Sequence, residues 1–133
     1  MYFYDLKKER CHESKEYRIK LCIFAPNYFK ILYRMIKHVV LFQLKDEMAE
    51  AEKLQVMKAF KEGILALPAQ IPCIKHIEVG FNVNPDEKYE VALSSEFETL
   101  EDVNAYAVHP AHVAVAQIII PHLKARACSD YEI

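Results

Sequence analysis

Ile36-Lys37-His38-Val39-Val40-Leu41-Phe42-Gln43-Leu44 decides the fold, because this extended stretch is apolar on both of its faces. Side chains alternate across a strand, so Ile36, Val40, Phe42 and Leu44 project one way and Val39 and Leu41 the other. After it, Asp46 is placed to cap a helix, with Glu47 and Glu50 near the positive end of its dipole. Leu54, Met57, Phe60/Lys61, Ile64 and Leu67 then recur at three-to-four spacing, which gives that helix one buried stripe. Gly63 weakens its last turns and Pro68 stops it. A second strand at about 73–83 sets Ile77, Val79, Phe81 and Val83 against Ile74, His76 and Glu78. Asn82 to Lys88 supplies the turn chemistry of a hairpin. The third strand, 89–98, alternates Tyr89, Val91, Leu93, Ser95 and Phe97 with Glu90, Ala92, Ser94, Glu96 and Glu98. Thr99, with Asp102 three residues on, starts a short helix that runs to about Val108. That helix stops because the residue before a proline avoids the α region. Another helix opens on Pro110, a favoured first position, and runs to Pro121. A fourth strand near 125–132 closes the chain.

The order βαββαβ predicts an α+β, ferredoxin-like domain: a four-stranded antiparallel sheet with both helical segments on one face. Those helices can shelter only one face of the sheet. Each fully buried Val, Leu, Ile or Phe is worth roughly 1.5–3 kcal/mol relative to exposure. A patch of several left in water is unusual for a monomer. The surplus predicts a homodimer in which a second copy covers the open face.

The sequence divides in two around Met35. Residues 1–34 hold eight Lys/Arg against four Asp/Glu and eight aromatic residues without sustained periodicity. The rest holds nine Lys/Arg against fifteen Asp/Glu. We therefore expect an N-terminal extension at 1–34, with Met35 as the natural start, and one domain at 35–133. An acidic domain argues against nucleic acid, which needs a clustered positive face. No apolar run approaches the ~20 residues needed to cross a bilayer, and the charged start is unlike a secretory leader. Cys11, Cys22, Cys73 and Cys128 have no CxxC spacing, so they are read as reduced thiols of a cytoplasmic protein. No metal site and no cofactor are expected.

Four segments carry a resemblance. They are Met35 to Phe42, Glu78-Val79-Gly80, Ser95-Glu96-Phe97, and Tyr106-Ala107-Val108-His109-Pro110-Ala111-His112-Val113. Over about 35–132 the chain resembles the Dabb family of stress-responsive dimeric α/β-barrel proteins. The resemblance implies a two-fold dimer whose sheets close into a barrel with a small cavity. The family includes plant stress proteins and polyketide-cyclising enzymes, so it constrains fold more than function.

His112 is the leading candidate for chemistry. The opening turn of a helix disfavours positive charge, which favours a neutral imidazole able to accept a proton. Tyr106 lies six residues earlier, across the proline, and its phenol can donate to a carbonyl or developing enolate. The resemblance implies the same pair, since cyclase members use a tyrosine and a histidine at the matching positions. The expected ligand-binding residues are His38, Val40, Phe42, Val56, Met57, Phe60, Val79 and His109. A bland reading stands beside this one: His109-Pro110-Ala111-His112 as a helix-start device, His38 as a satisfied core histidine, and Tyr106 as a core aromatic. The first-ranked function is a small-molecule-binding homodimer without catalysis. The alternatives are a cofactor-independent cyclase or lyase, with His112 as base and Tyr106 as polariser, and a small monooxygenase-like dimer.

Overall fold

The computed structural model describes residues 34–133. The expected extension, apart from Arg34, lies outside the described residues, and so does any question of where translation starts. Strand β1 is Ile36–Leu44 and helix α1 is Glu50–Ala66, continued by a 3-10 turn at Leu67–Ala69. Strands β2 (His76–Phe81) and β3 (Val91–Phe97) form the hairpin. Helices α2 (Leu100–Val108) and α3 (Pro110–Ile119) follow, then a 3-10 turn at Ile120–His122 and strand β4 (Leu123–Glu132). The sheet order is β2-β3-β1-β4, antiparallel throughout. This is the ferredoxin-like arrangement expected from the sequence.

Strand β1 is central, and its burial alternates residue by residue. Ile36, His38, Val40, Phe42 and Leu44 face the helices and are buried. Val91, Leu93, Ser95 and Phe97 of β3 extend the same layer. Met57, Phe60 and Ile64 of α1, Val103 and Tyr106 of α2 and Ile119 of α3 close the core from above. Glu90 ties the sheet to α1: its carboxylate accepts from the Leu44 amide at 2.9 Å and from Lys53 Nζ at 3.1 Å.

Several local expectations need correction. Asp46 does not cap α1. The N-cap is Ala49, without a side-chain hydrogen bond, and Asp46 instead pairs with Lys124 at the start of β4. Leu54 is exposed, so the buried stripe of α1 begins at Met57. Gly63 is a packing residue rather than a weak point, since a Cβ there would lie 2.8 Å from Val115 Cγ1 of α3. Strand β2 is shorter than expected, with Ile74 buried ahead of it and Val83 96% exposed in the turn beyond. Strand β4 begins two residues earlier than expected.

The face turned away from the helices carries Lys37, Val39, Leu41 and Gln43 of β1 and Ala92, Ser94 and Glu96 of β3. Register brings Leu41 between Ala92 and Ala127, and Val39 between Ser94 and Ser129. The β2 share of this face is His76, Glu78 and Gly80, so the apolar surplus expected from the second strand is not there. What remains is a compact patch around Val39 and Leu41, flanked by the Lys37–Glu96 ion pair at 3.0 Å.

Candidate functional site

Helices α2 and α3 meet at His109, which ends one and starts the other. The proline at 110 forbids a continuous helix, and the chain turns by 68° between the two segments. The His109 ring stabilises the corner by accepting the Ala111 amide at 3.1 Å through Nδ1. Thr99 caps the other end of α2, its hydroxyl accepting the Asp102 amide at 3.1 Å. Tyr106, in the last turn before the corner, and His112, in the first turn after it, therefore face one another. Their ring centroids are 4.2 Å apart and tilted by 44°.

Both rings line a cavity of about 150 Å³ between sheet and helices within a single subunit. Its floor is His38, Val40, Phe42 and Leu93, and its roof includes Phe60, Tyr106, Ala107, His112, Ala116 and Ile119. Ile120, Leu123 and Arg126 complete the wall. Phe42 and Phe60 meet edge to face at 5.2 Å, and Tyr106 packs on Phe97 at the same separation. The lining is apolar apart from a few polar groups, the usual composition of a small-molecule site.

The polar groups have distinct states. Tyr106 is 1% exposed, and its hydroxyl finds no hydrogen-bond partner among the described residues. Burial drives its pKa far upward, so the phenol keeps its proton and can only gain by donating it. His112 Nδ1 lies 3.0 Å from the Ala107 carbonyl. A carbonyl only accepts, so Nδ1 carries the proton and Nε2 is left as the basic nitrogen. Burial pushes the His112 pKa below the ordinary histidine value; the Ala107 bond opposes this, while His38, Arg126 and His109 add to the lowering. His38 sits at the floor with Nδ1 2.5 Å from Asp130 Oδ1 of β4, and its ring meets Tyr106 edge-on at 6.1 Å.

Of the residues expected at the site, His112, Tyr106, His38, Val40, Phe42 and Phe60 converge here. His109, Val56, Met57 and Val79 do not line this cavity. His109 spends its ring on the helix corner. Val79 lies on β2, two strands away from β1, while Met57 is core and Val56 packs against that core. Leu93, Ala107, Ala116, Ile119, Ile120, Leu123 and Arg126 line the cavity and were not expected. Leu93 could have been found as the cross-strand partner of Val40. Ala107 and Ala116 leave the space that larger side chains would fill, a signal that becomes meaningful only once the helices are placed.

Comparison with known proteins agrees with this architecture. Olivetolic acid cyclase of Cannabis sativa is 31% identical over 86 residues, covering 62% of this chain and 81% of that protein. A dimeric protein of ferredoxin-like fold from Bacteroides fragilis superposes with a TM-score of 0.73 at 54% identity, covering 74% of this chain and 96% of that one. A dimeric ferredoxin-like protein from Thermobifida fusca gives a TM-score of 0.62 at 28% identity, covering 75% and 92%. The Stress responsive A/B Barrel Domain matches residues 36–133, the whole of the sheet-and-helix unit described above. The chain belongs to the stress-responsive A/B barrel family.

Proposed function

We propose that this protein is a cytoplasmic homodimer that binds a small carbonyl compound in the cavity of each subunit and removes a proton α to the carbonyl. The observation that carries this reading is the buried, unpartnered Tyr106 hydroxyl beside the His112 ring. An unsatisfied buried hydroxyl costs about 1–3 kcal/mol, a cost that a ligand oxygen accepting from it would offset. In this mechanism the ligand carbonyl accepts from Tyr106, which stabilises the developing enolate. His112 Nε2 takes the α-proton, and the enolate carbon then attacks a second electrophile or is reprotonated. The cavity, at about 150 Å³, is smaller than the roughly 300–1,000 Å³ of pockets for drug-sized ligands. The substrate is therefore compact, not a long chain. Similarity to olivetolic acid cyclase, at 31% identity, supports a cyclase-like activity as the class. Binding without catalysis ranks first from the sequence; the convergence of a trapped donor and a free base moves the balance toward chemistry.

Support for the dimer comes from the Val39 and Leu41 patch and from the dimeric relatives of similar fold. The chemistry is tested by incubating the protein in D2O with acetoacetyl thioester and small aryl ketones, following loss of the α-proton signals by NMR. Wild-type protein should accelerate exchange over buffer. His112→Ala should lose roughly 10²–10⁴-fold of that acceleration while keeping the wild-type melting transition. Saturable binding of these probes with no acceleration would leave a binding protein and overturn the catalytic reading.

A further inference from the structure

Cys128 and Asp130 lie two residues apart on β4, so both project toward the helix side of the sheet, the face that also carries His38. Cross-strand register sets Asp130 opposite His38 and Cys128 opposite Val40. One imidazole, one thiol and one carboxylate thereby gather with their donor atoms all within 4.8 Å of one another. His38 is buried, whereas Cys128 and Asp130 reach solvent at the sheet edge.

The sulfur-to-nitrogen distance fits a borderline divalent cation. With bonds of about 2.3 Å to sulfur and 2.0–2.1 Å to nitrogen, a tetrahedral zinc ion sets its sulfur and nitrogen ligands roughly 3.6 Å apart. Cys128 Sγ and His38 Nδ1 stand 3.7 Å apart. The same geometry asks for roughly 3.3 Å between nitrogen and carboxylate oxygen, against 2.5 Å between His38 Nδ1 and Asp130 Oδ1. That pair stands at hydrogen-bond distance, so the two groups must part by roughly 0.8 Å to admit an ion. The Asp130 side chain, about one-third exposed, has room to step back.

We propose that His38 Nδ1, Cys128 Sγ and Asp130 Oδ1 form a three-ligand site for a zinc-like divalent cation, with the fourth position open to water or an exogenous ligand. Binding is a proton-for-metal exchange. The ring proton on His38 Nδ1 moves to Nε2 by way of solvent, the Cys128 thiol releases its proton to water, and Asp130 binds through its carboxylate. Thiolate and carboxylate together neutralise the dication, so the loaded site is neutral where the metal-free site carries one negative charge. His38 also forms part of the cavity floor, so metal loading converts its second ring nitrogen from an acceptor into a donor. The site goes beyond the carbonyl chemistry proposed above, which uses Tyr106 and His112 and requires no ion. The cysteine spacing gives no hint of it, because the antiparallel pairing of β1 with β4 brings residues 38 and 128 together.

The test is a cobalt titration of the full chain after treatment with a chelator. One equivalent of Co2+ per subunit should produce thiolate-to-cobalt charge transfer in the near ultraviolet and the intense visible bands of four-coordinate cobalt. Zn2+ should displace both. Cys128→Ser should abolish the charge-transfer band, while Cys73→Ser should keep it. Loss of an outer-shell partner alone costs 10–100-fold in affinity, so Asp130→Asn, which removes a ligand, should weaken binding by roughly 100-fold. Absence of the band in the wild type overturns the site, as does a band that survives Cys128→Ser and so belongs to other thiols. Unchanged affinity in Asp130→Asn overturns it as well, and that arm holds even if the serine variant fails to fold. The D2O exchange measurement on metal-free protein reports separately on the carbonyl chemistry.

Discussion

Tyr106 is the residue at which stability and function pull apart. Its hydroxyl is buried without a partner among the described residues, so Tyr106→Phe removes a cost rather than a bond. The variant should be as stable as the wild type or more stable by about 1 kcal/mol in urea unfolding, while its α-proton exchange falls. A core aromatic with no functional role would show the first effect without the second. His112 makes a prediction in pH. Burial lowers its pKa below 6.5, so the basic form persists into mildly acid solution. The acid limb of the exchange rate should have its midpoint below 6.5, measured on the pH–rate profile. The same shift acts on folding: the unfolded chain takes up this proton more readily, so His112 contributes stability above the unfolded pKa that is lost as pH falls through the lowered folded value. The sequence disclosed this pair because two helix signals, Tyr106 before the proline and His112 after it, fix their spacing within one corner. It did not disclose Arg126 or Asp130, whose approach to the cavity floor depends on how the last strand pairs with the first.

Among the elements, the close approach of α1 and α3 is held by a missing side chain. Alanine is the better helix former by about 1 kcal/mol, yet a Cβ on residue 63 would meet Val115 Cγ1 at 2.8 Å. Valine in a helix is confined to essentially one rotamer and cannot swing aside. Gly63→Ala should therefore destabilise the protein by about 1–3 kcal/mol in thermal or urea unfolding, and adding Val115→Ala should restore most of the loss. A glycine that merely weakened the helix would respond the other way, with a gain. The sequence showed where α1, α2 and α3 lie because periodicity, Thr99 and the prolines are local signals. It misjudged the start of α1, since Asp46 had a competing partner in Lys124, nearly eighty residues along the chain. A side chain with two options settles the matter by tertiary contact.

Across the whole molecule, the proposed dimer rests on the side of the sheet away from the helices. Leu41 sits between Ala92 and Ala127 at the centre of that patch. Leu41→Glu should yield a single-subunit species in sedimentation equilibrium where the wild type gives two. Each subunit forgoes roughly 1.5–3 kcal/mol of side-chain burial and gains a charge that resists burial. The architecture was readable from the order of the six elements, and the need to cover both faces of the sheet from β1, which is apolar on each. The size of the uncovered patch was not, because the open side of β2 is His76, Glu78 and Gly80. One consequence reaches past the interface itself. The nine residues of β1 serve two tenants, with His38, Val40 and Phe42 furnishing the chamber while Val39 and Leu41 look outward from the open face, where the proposed second copy would sit. Inserting a single amino acid into that ribbon would make the tenants trade sides, so ligand capture and self-association should vanish in one stroke.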